Sequence, residues 1–170
     1  IIFQSDDGSG GIETYFFLDG SLSGGNPRTI FPDNARLGFG NSGDTYIEHD
    51  GSNGYIANST GHLYIKNWDD NKDIIFQSDD QSGGVETYFF LDGSTGLTNF
   101  PDDKKLTFGT GFDLKFHHDG SNSYIVQAGT GNLVIQNTTD DADIIFQCDD
   151  GSGGVETYFY LDGSGGGADP

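Results

Sequence analysis

Basic residues are scarce in this chain. It has 7 Lys and Arg against 27 Asp and Glu, a formal net charge of −20. Neutralising nucleic-acid phosphates takes clustered Lys and Arg, so neither nucleic acid nor an anionic membrane is an expected partner. Such a charge keeps a protein dispersed in water. The single cysteine, Cys148, rules out an intrachain disulfide framework. Methionine is absent. No run of about 18 apolar residues is present, so no membrane insertion is expected, and no secretory signal is visible. No stretch has an apolar stripe of helical period, which predicts almost no helix. Apolar residues make up 33% of the chain, a low share for a compact monomer. There is no P-loop, no GxSxG and no Cys–His pairing.

Glycine and aromatics are plentiful: 28 Gly, 14 Phe and 8 Tyr. They come with a long internal repeat. DIIFQSDDQSGGVETYFFLDG at 73–93 returns as DIIFQCDDGSGGVETYFYLDG at 143–163 and opens the chain as IIFQSDDGSGGIETYFFLDG at 1–20. FPDNARLGFG at 31–40 returns as FPDDKKLTFG at 100–109, and HDGSNGYI at 49–56 as HDGSNSYI at 118–125. GHLYIKN at 61–67 returns as GNLVIQN at 131–137. The chain therefore reads as the C-terminal part of one repeat at 1–30, a repeat unit at 31–99 and another at 100–170. The links at 20–29 and 93–99 are rich in Gly, Ser and Asn, as loops are. The chain opens inside a strand-like run, and it is expected to be a piece of a longer protein.

Short apolar or alternating runs recur about every ten residues with turn residues between them, which predicts an all-β fold. In the first unit the expected strands centre on 37–39, 46–47, 55–56, 63–65, 74–76, 87–91 and 97–100. Alternation assigns faces. Val85, Thr87, Phe89 and Leu91 are expected on one face, with Glu86, Tyr88 and Phe90 on the other. Phenylalanine stands at 16, 89 and 159, whereas Phe17 and Phe90 become Tyr160. A dry core penalises that added hydroxyl. The Phe89 face is therefore the expected core, with Phe16, Phe89 and Phe159 buried, and the Tyr88/Phe90 face is expected to be partly wet.

One such unit buries little alone, so units must stack or chains must wrap together. Two architectures satisfy this. An intertwined trimeric β-helix or β-prism is favoured by the low apolar content and the Gly-rich links. A single-chain β-solenoid is the alternative.

FPDNARLGFG and FPDDKKLTFG, then Asp113-Leu114-Lys115-Phe116, HDGSNSYI and GTGNLVIQN together resemble repeats of phage tail-fibre and tail-spike-like proteins, notably marine ones. The most specific element is HDGSNxYI followed by the GxLxIxN run. The resemblance implies a fibrous, usually trimeric virion appendage that reaches host surfaces, and it carries over no catalytic residue. The first unit departs from the pattern with Thr45-Tyr46-Ile47.

Several residues are candidates for chemistry. His49 and His118 share strand parity with apolar neighbours, and three copies meeting on an axis could ligate a transition metal. The plainer role is a hydrogen bond to the following turn, through Asp50 or Asp119. His117 is expected to be exposed on the opposite face. The acidic turns at 6–8, 79–81 and 149–151 could offer oxygen to calcium, but they match neither the EF-hand spacing nor the glycine-rich nonapeptide of calcium-binding β-rolls, and Asp and Gly favour tight turns anyway. A bound divalent cation is possible and no cofactor is expected. A glycosidase needs two carboxyls at a set separation, and no acid pair departs from the repeat to supply one. Tyr88, Phe90, Tyr158 and Tyr160, with Tyr15 and Phe17, are candidate sugar-stacking residues. Cys148, which stands where the other copies have Ser5 and Ser78, is expected to point inward as a passive packing residue.

The expected function is that of a non-enzymatic structural segment of a phage tail fibre or related appendage. It would be an extracellular homotrimer that spaces and displays a host-recognition tip, meeting host glycan or protein through the whole fibre. A carbohydrate-binding adhesin is the alternative, and a tail-spike polysaccharide depolymerase a third.

Overall fold

The structure, a computed structural model, describes residues 1–21 and 25–165. Residues 22–24 of the link at 20–29, and the end of the last repeat beyond 165, lie outside the described residues. By packing, the chain forms two bodies, Ile1–Lys66 and Asn67–Pro170. That division falls inside the 31–99 repeat: sequence recurrence and dense packing are different criteria.

The described residues form fourteen strands and no helix. In the first body, β1 (Ile2–Asp6), β2 (Ile12–Asp19) and β3 (Arg28–Ile30) make one sheet. β4 (Leu37–Phe39), β5 (Thr45–His49) and β6 (Gly54–Asn58) make another. The second body repeats both. β7 (Ile74–Asp79), β8 (Val85–Asp92) and β9 (Leu97–Asn99) form one sheet, and β10 (Leu106–Phe108), β11 (Leu114–His118) and β12 (Ser123–Gln127) the next. β13 (Ile144–Asp149) pairs with β14 (Val155–Leu161). Every pairing is antiparallel and joins sequence neighbours. Short turns dictate this, because parallel pairing needs a long crossover.

Aspartate closes the turns. In the β7–β8 turn, Asp79 Oδ1 accepts the Gln81 N–H at 2.6 Å and Asp80 Oδ1 accepts the Ser82 N–H at 2.9 Å. Gln81 has φ 69°, where the equivalent Gly8 and Gly151 have φ 79° and 78°. The turn thus demands a left-handed residue there, and glycine adopts that conformation at least cost.

Strict alternation fails in the long hairpin. Phe76 faces Phe89, but the next residue, Gln77, faces Thr87, which leaves Tyr88 without a partner. The same β-bulge recurs at Phe3/Gln4 and Phe146/Gln147. Residues directly opposite each other share a face, so Thr87 joins Gln77, and Gln77 Nε2 donates to Thr87 Oγ1 at 3.0 Å. Thr87 and Val85 therefore lie on the face opposite Phe89, while Glu86, opposite Ser78, lies on the Phe89 face. This corrects the expectation from alternation. One extra residue in one strand reverses the parity beyond it.

No described residue is buried. The phenylalanines expected in a core instead form ring stacks. Phe89 lies between Phe76 (centroids 4.4 Å) and Phe100 (5.5 Å) and is half-buried. Phe16 lies between Phe3 (4.3 Å) and Phe31 (5.6 Å) in the same way. Phe159 has only Phe146, at 4.4 Å, and is 57% exposed. Its burial is thus corrected too: a hairpin supplies one ring cover, and the second comes from the following repeat. The accessible surface is 13689 Å². A folded monomer of 18.2 kDa has about 8,100 Å², so about 5,600 Å² more than expected remains open.

The expected strand at 63–65 is not paired. Residues 62–65 and 132–135 belong to no sheet, although every other run expected in the first unit is a strand.

Candidate functional site

The faces of the short sheets hold ordered rows of exposed side chains. Cross-strand register sets Leu37, Ile47 and Ile56 in one row, and Leu106, Phe116 and Ile125 in the equivalent row of the second body. All six are exposed, Ile56 by 64% and Ile125 by 57%. The opposite faces are better covered. On the first, Arg36 Nε donates to Glu48 Oε2 at 2.7 Å while its guanidinium lies 4.2 Å from the centroid of Tyr46. On the second, His117 stacks on Tyr124 at 4.8 Å. Its Nδ1 is buried without a hydrogen-bond partner. The expectation that His117 is exposed is therefore corrected. It lies on the covered face, and His118 is the exposed one.

Both candidate metal histidines sit beside the apolar rows and are exposed. His49 Nδ1 is 2.9 Å from Asp33 Oδ1 and 3.2 Å from the Gly51 amide nitrogen. The shorter, carboxylate contact makes Nδ1 a donor to Asp33. His118 Nδ1 instead meets Ser123 Oγ at 3.1 Å. Neither histidine bonds to the aspartate that follows it. Among the described residues, no three His, Cys, Asp or Glu side chains gather where one ion could be shared.

Asp50 and Asp119 are engaged in their own turns. Asp50 Oδ1 accepts the N–H groups of Ser52 and Asn53, and Oδ2 accepts the Tyr55 hydroxyl at 2.8 Å. Asp119 repeats the set with Ser121, Asn122 and Tyr124. The Asn53 N–H, then the Tyr55 hydroxyl, then the Ser52 N–H lower the Asp50 carboxyl from 3.8 to about 2. Because the folded value lies below the unfolded one, this turn adds stability above about pH 4 and loses it as pH falls through about 2. NMR titration of Asp50 should show that depressed midpoint. Tyr55→Phe should move it upward by removing one donor, and an unchanged midpoint would mean the hydroxyl bond is absent in solution.

The candidate calcium turns have the same character. Asp6 and Asp7 accept the Gly8 and Ser9 N–H groups at 2.6 and 2.7 Å, and Asp149 and Asp150 accept those of Gly151 and Ser152 at 2.7 and 2.8 Å. Conformation accounts for these acids.

The aromatic candidates do not form one ladder. Tyr88 is the bulged residue, with Lys104 Nζ 5.7 Å from its ring centroid and bonded to Glu86 at 3.1 Å. Phe90 is half-buried opposite Ile75 and Asn99. Tyr158 and Tyr160 are 64% and 54% exposed. Cys148 lies opposite Glu156 and is exposed, which corrects its expected inward position.

An open cleft of about 800 Å³ in the first body escaped the sequence reading. Tyr15, Phe16, Phe31 and Arg36 are among its walls. At the equivalent place Lys104, in the segment before β10, reaches Glu86, where the first repeat has Ala35. That Ala/Lys difference was the available signal. The cleft brings together no nucleophile and base. Of its three acids, Asp7 is held by turn amides and Asp33 by His49, and Glu13 is exposed. The site as a whole can stack and pack, and it offers surfaces for contact. No protein-family model, no curated protein and no solved structure matches this chain.

Proposed function

We propose that this chain is a structural segment of a fibrous, phage-type appendage, assembled as an intertwined homotrimer that spaces and displays a host-recognition tip. The observation that carries this reading is the absence of any buried residue among those described, together with an equivalent exposed apolar row on one three-strand sheet of each body. A chain whose strands form properly and whose apolar faces stay open needs further copies to cover them. Antiparallel, local pairing favours wrapped chains over a single-chain solenoid, whose successive coils pair in parallel. The proposed role is mechanical, and the acidic turns support it because their carboxylates are taken up by the backbone N–H groups of their own turns.

Native mass measurement tests the reading. The expected species is about 55 kDa, three times the 18.2 kDa chain, with slow, concentration-dependent unfolding. A folded 18.2 kDa monomer would refute it. The exposure of Tyr15, Tyr158 and Tyr160 favours a second reading, a carbohydrate-binding adhesin segment. Selective glycan binding by this chain, lost on Tyr158→Ala, would support that reading over a purely structural one.

A further inference from the structure

We infer that residues 62–65 and 132–135 are strands contributed to a second copy of this chain, each adding to the open edge of a neighbour's β6 or β12. The inference rests on the homotrimer reading above and names the contact that would build it.

Four observations carry it. First, both runs have strand composition, Leu-Tyr-Ile at 63–65 and Leu-Val-Ile at 133–135, yet among the described residues neither pairs with a strand. They are apolar on both faces, the pattern of a strand covered from both sides. Tyr64 is 69% exposed and Val134 68%. Second, the same run is left unpaired at the same phase in both repeats, so the feature belongs to the design of the repeat.

Third, each run follows an edge strand. β6 and β12 end their three-strand sheets, so the outer side of each has a row of unused N–H and C=O groups. An open edge is a template for an added strand. Each is five residues long, enough to pair with the whole of a four-residue run.

Fourth, charge points to a copy of the same chain. In a protein of 27 acids, no Asp or Glu occurs from 51 to 68 or from 120 to 139, the two longest acid-free stretches. Each stretch contains both the edge strand and the unpaired run. Two equally acidic chains can meet there without opposing carboxylates, whereas a basic partner would find no complement. The run that adds and the edge that receives it are different segments of the chain, so the contact is heterologous, and a threefold ring closes it.

Hydrogen exchange on the native assembly is the direct test. The amides of Tyr64 and Val134 should exchange at least about 100-fold more slowly in the assembly than in an unpaired strand. Tyr64→Pro with Val134→Pro removes those two N–H groups, which no backbone hydrogen bond among the described residues uses. It should weaken assembly at least about tenfold, while Tyr64→Thr with Val134→Thr should not. Unprotected amides in an intact wild-type assembly, or proline variants that assemble as wild type, would overturn this inference and leave the homotrimer standing. A monomeric wild type would overturn both. If the proline variant fails to fold, exchange on the wild-type chain still decides.

Discussion

Phe116→Asp is expected to abolish assembly while leaving the isolated chain soluble. Phe116 sits in the middle of the row Leu106–Phe116–Ile125, at the centre of a three-strand sheet, and is already exposed. For a chain that stays monomeric, exchanging an exposed Phe for Asp is close to neutral or favourable. In a threefold assembly the same exchange places three carboxylates against apolar surface, at a cost of at least about 3 kcal/mol per chain. The two readings thus predict opposite signs. Ile47→Asp in the first body should behave alike, because Ile47 is central in the row Leu37–Ile47–Ile56. The measurement is native mass against concentration. A Phe116→Asp protein that keeps the wild-type mass would show that this face lies outside the contact.

Gly93→Ala should destabilise the second body by about 2–3 kcal/mol, or roughly 5–10 °C in Tm. Gly93 follows β8, and its N–H donates to Asp73 Oδ1 at 3.0 Å, which ties the end of the hairpin to its beginning. That closure brings the Gly93 Cα against the backbone of Lys72, and a methyl group there would collide with the Lys72 carbonyl oxygen. Backbone cannot swing aside as a side chain can. Gly163 repeats the arrangement with Asp143 and the Ala142 carbonyl. Gly20 ends the same Leu-Asp-Gly motif, but an added Cβ there meets nothing within 4 Å. Gly20→Ala is therefore the internal control and should be nearly silent in thermal unfolding. Equal effects at Gly20 and Gly93 would mean that loss of glycine, and not the close approach, sets the cost.

The amino-acid sequence alone determined the repeat, the all-β class and most strand positions, because each depends on neighbours along the chain. Alternation marks a strand and Asp-Gly-Ser marks a turn. The acidic turns were legible for the same reason, since an aspartate accepts the N–H two residues on. Tertiary structure decided what depends on partners distant in sequence. Thr87 lies opposite Phe89 in face because Gln77 pairs across a bulge, and no periodicity within β8 encodes that register. His117 is half-buried and His118 exposed because the Tyr124 ring stacks on His117, on the opposite face of the strand from His118. Phe159 is more open than Phe89 because Phe100 stacks on Phe89, and no second ring stacks on Phe159 among the described residues. Residues 63–65 read as a strand by composition and have no partner, because composition sets the tendency to pair and only the surrounding chain supplies the edge. Burial and pairing are properties of two surfaces, and one stretch of sequence describes only one of them.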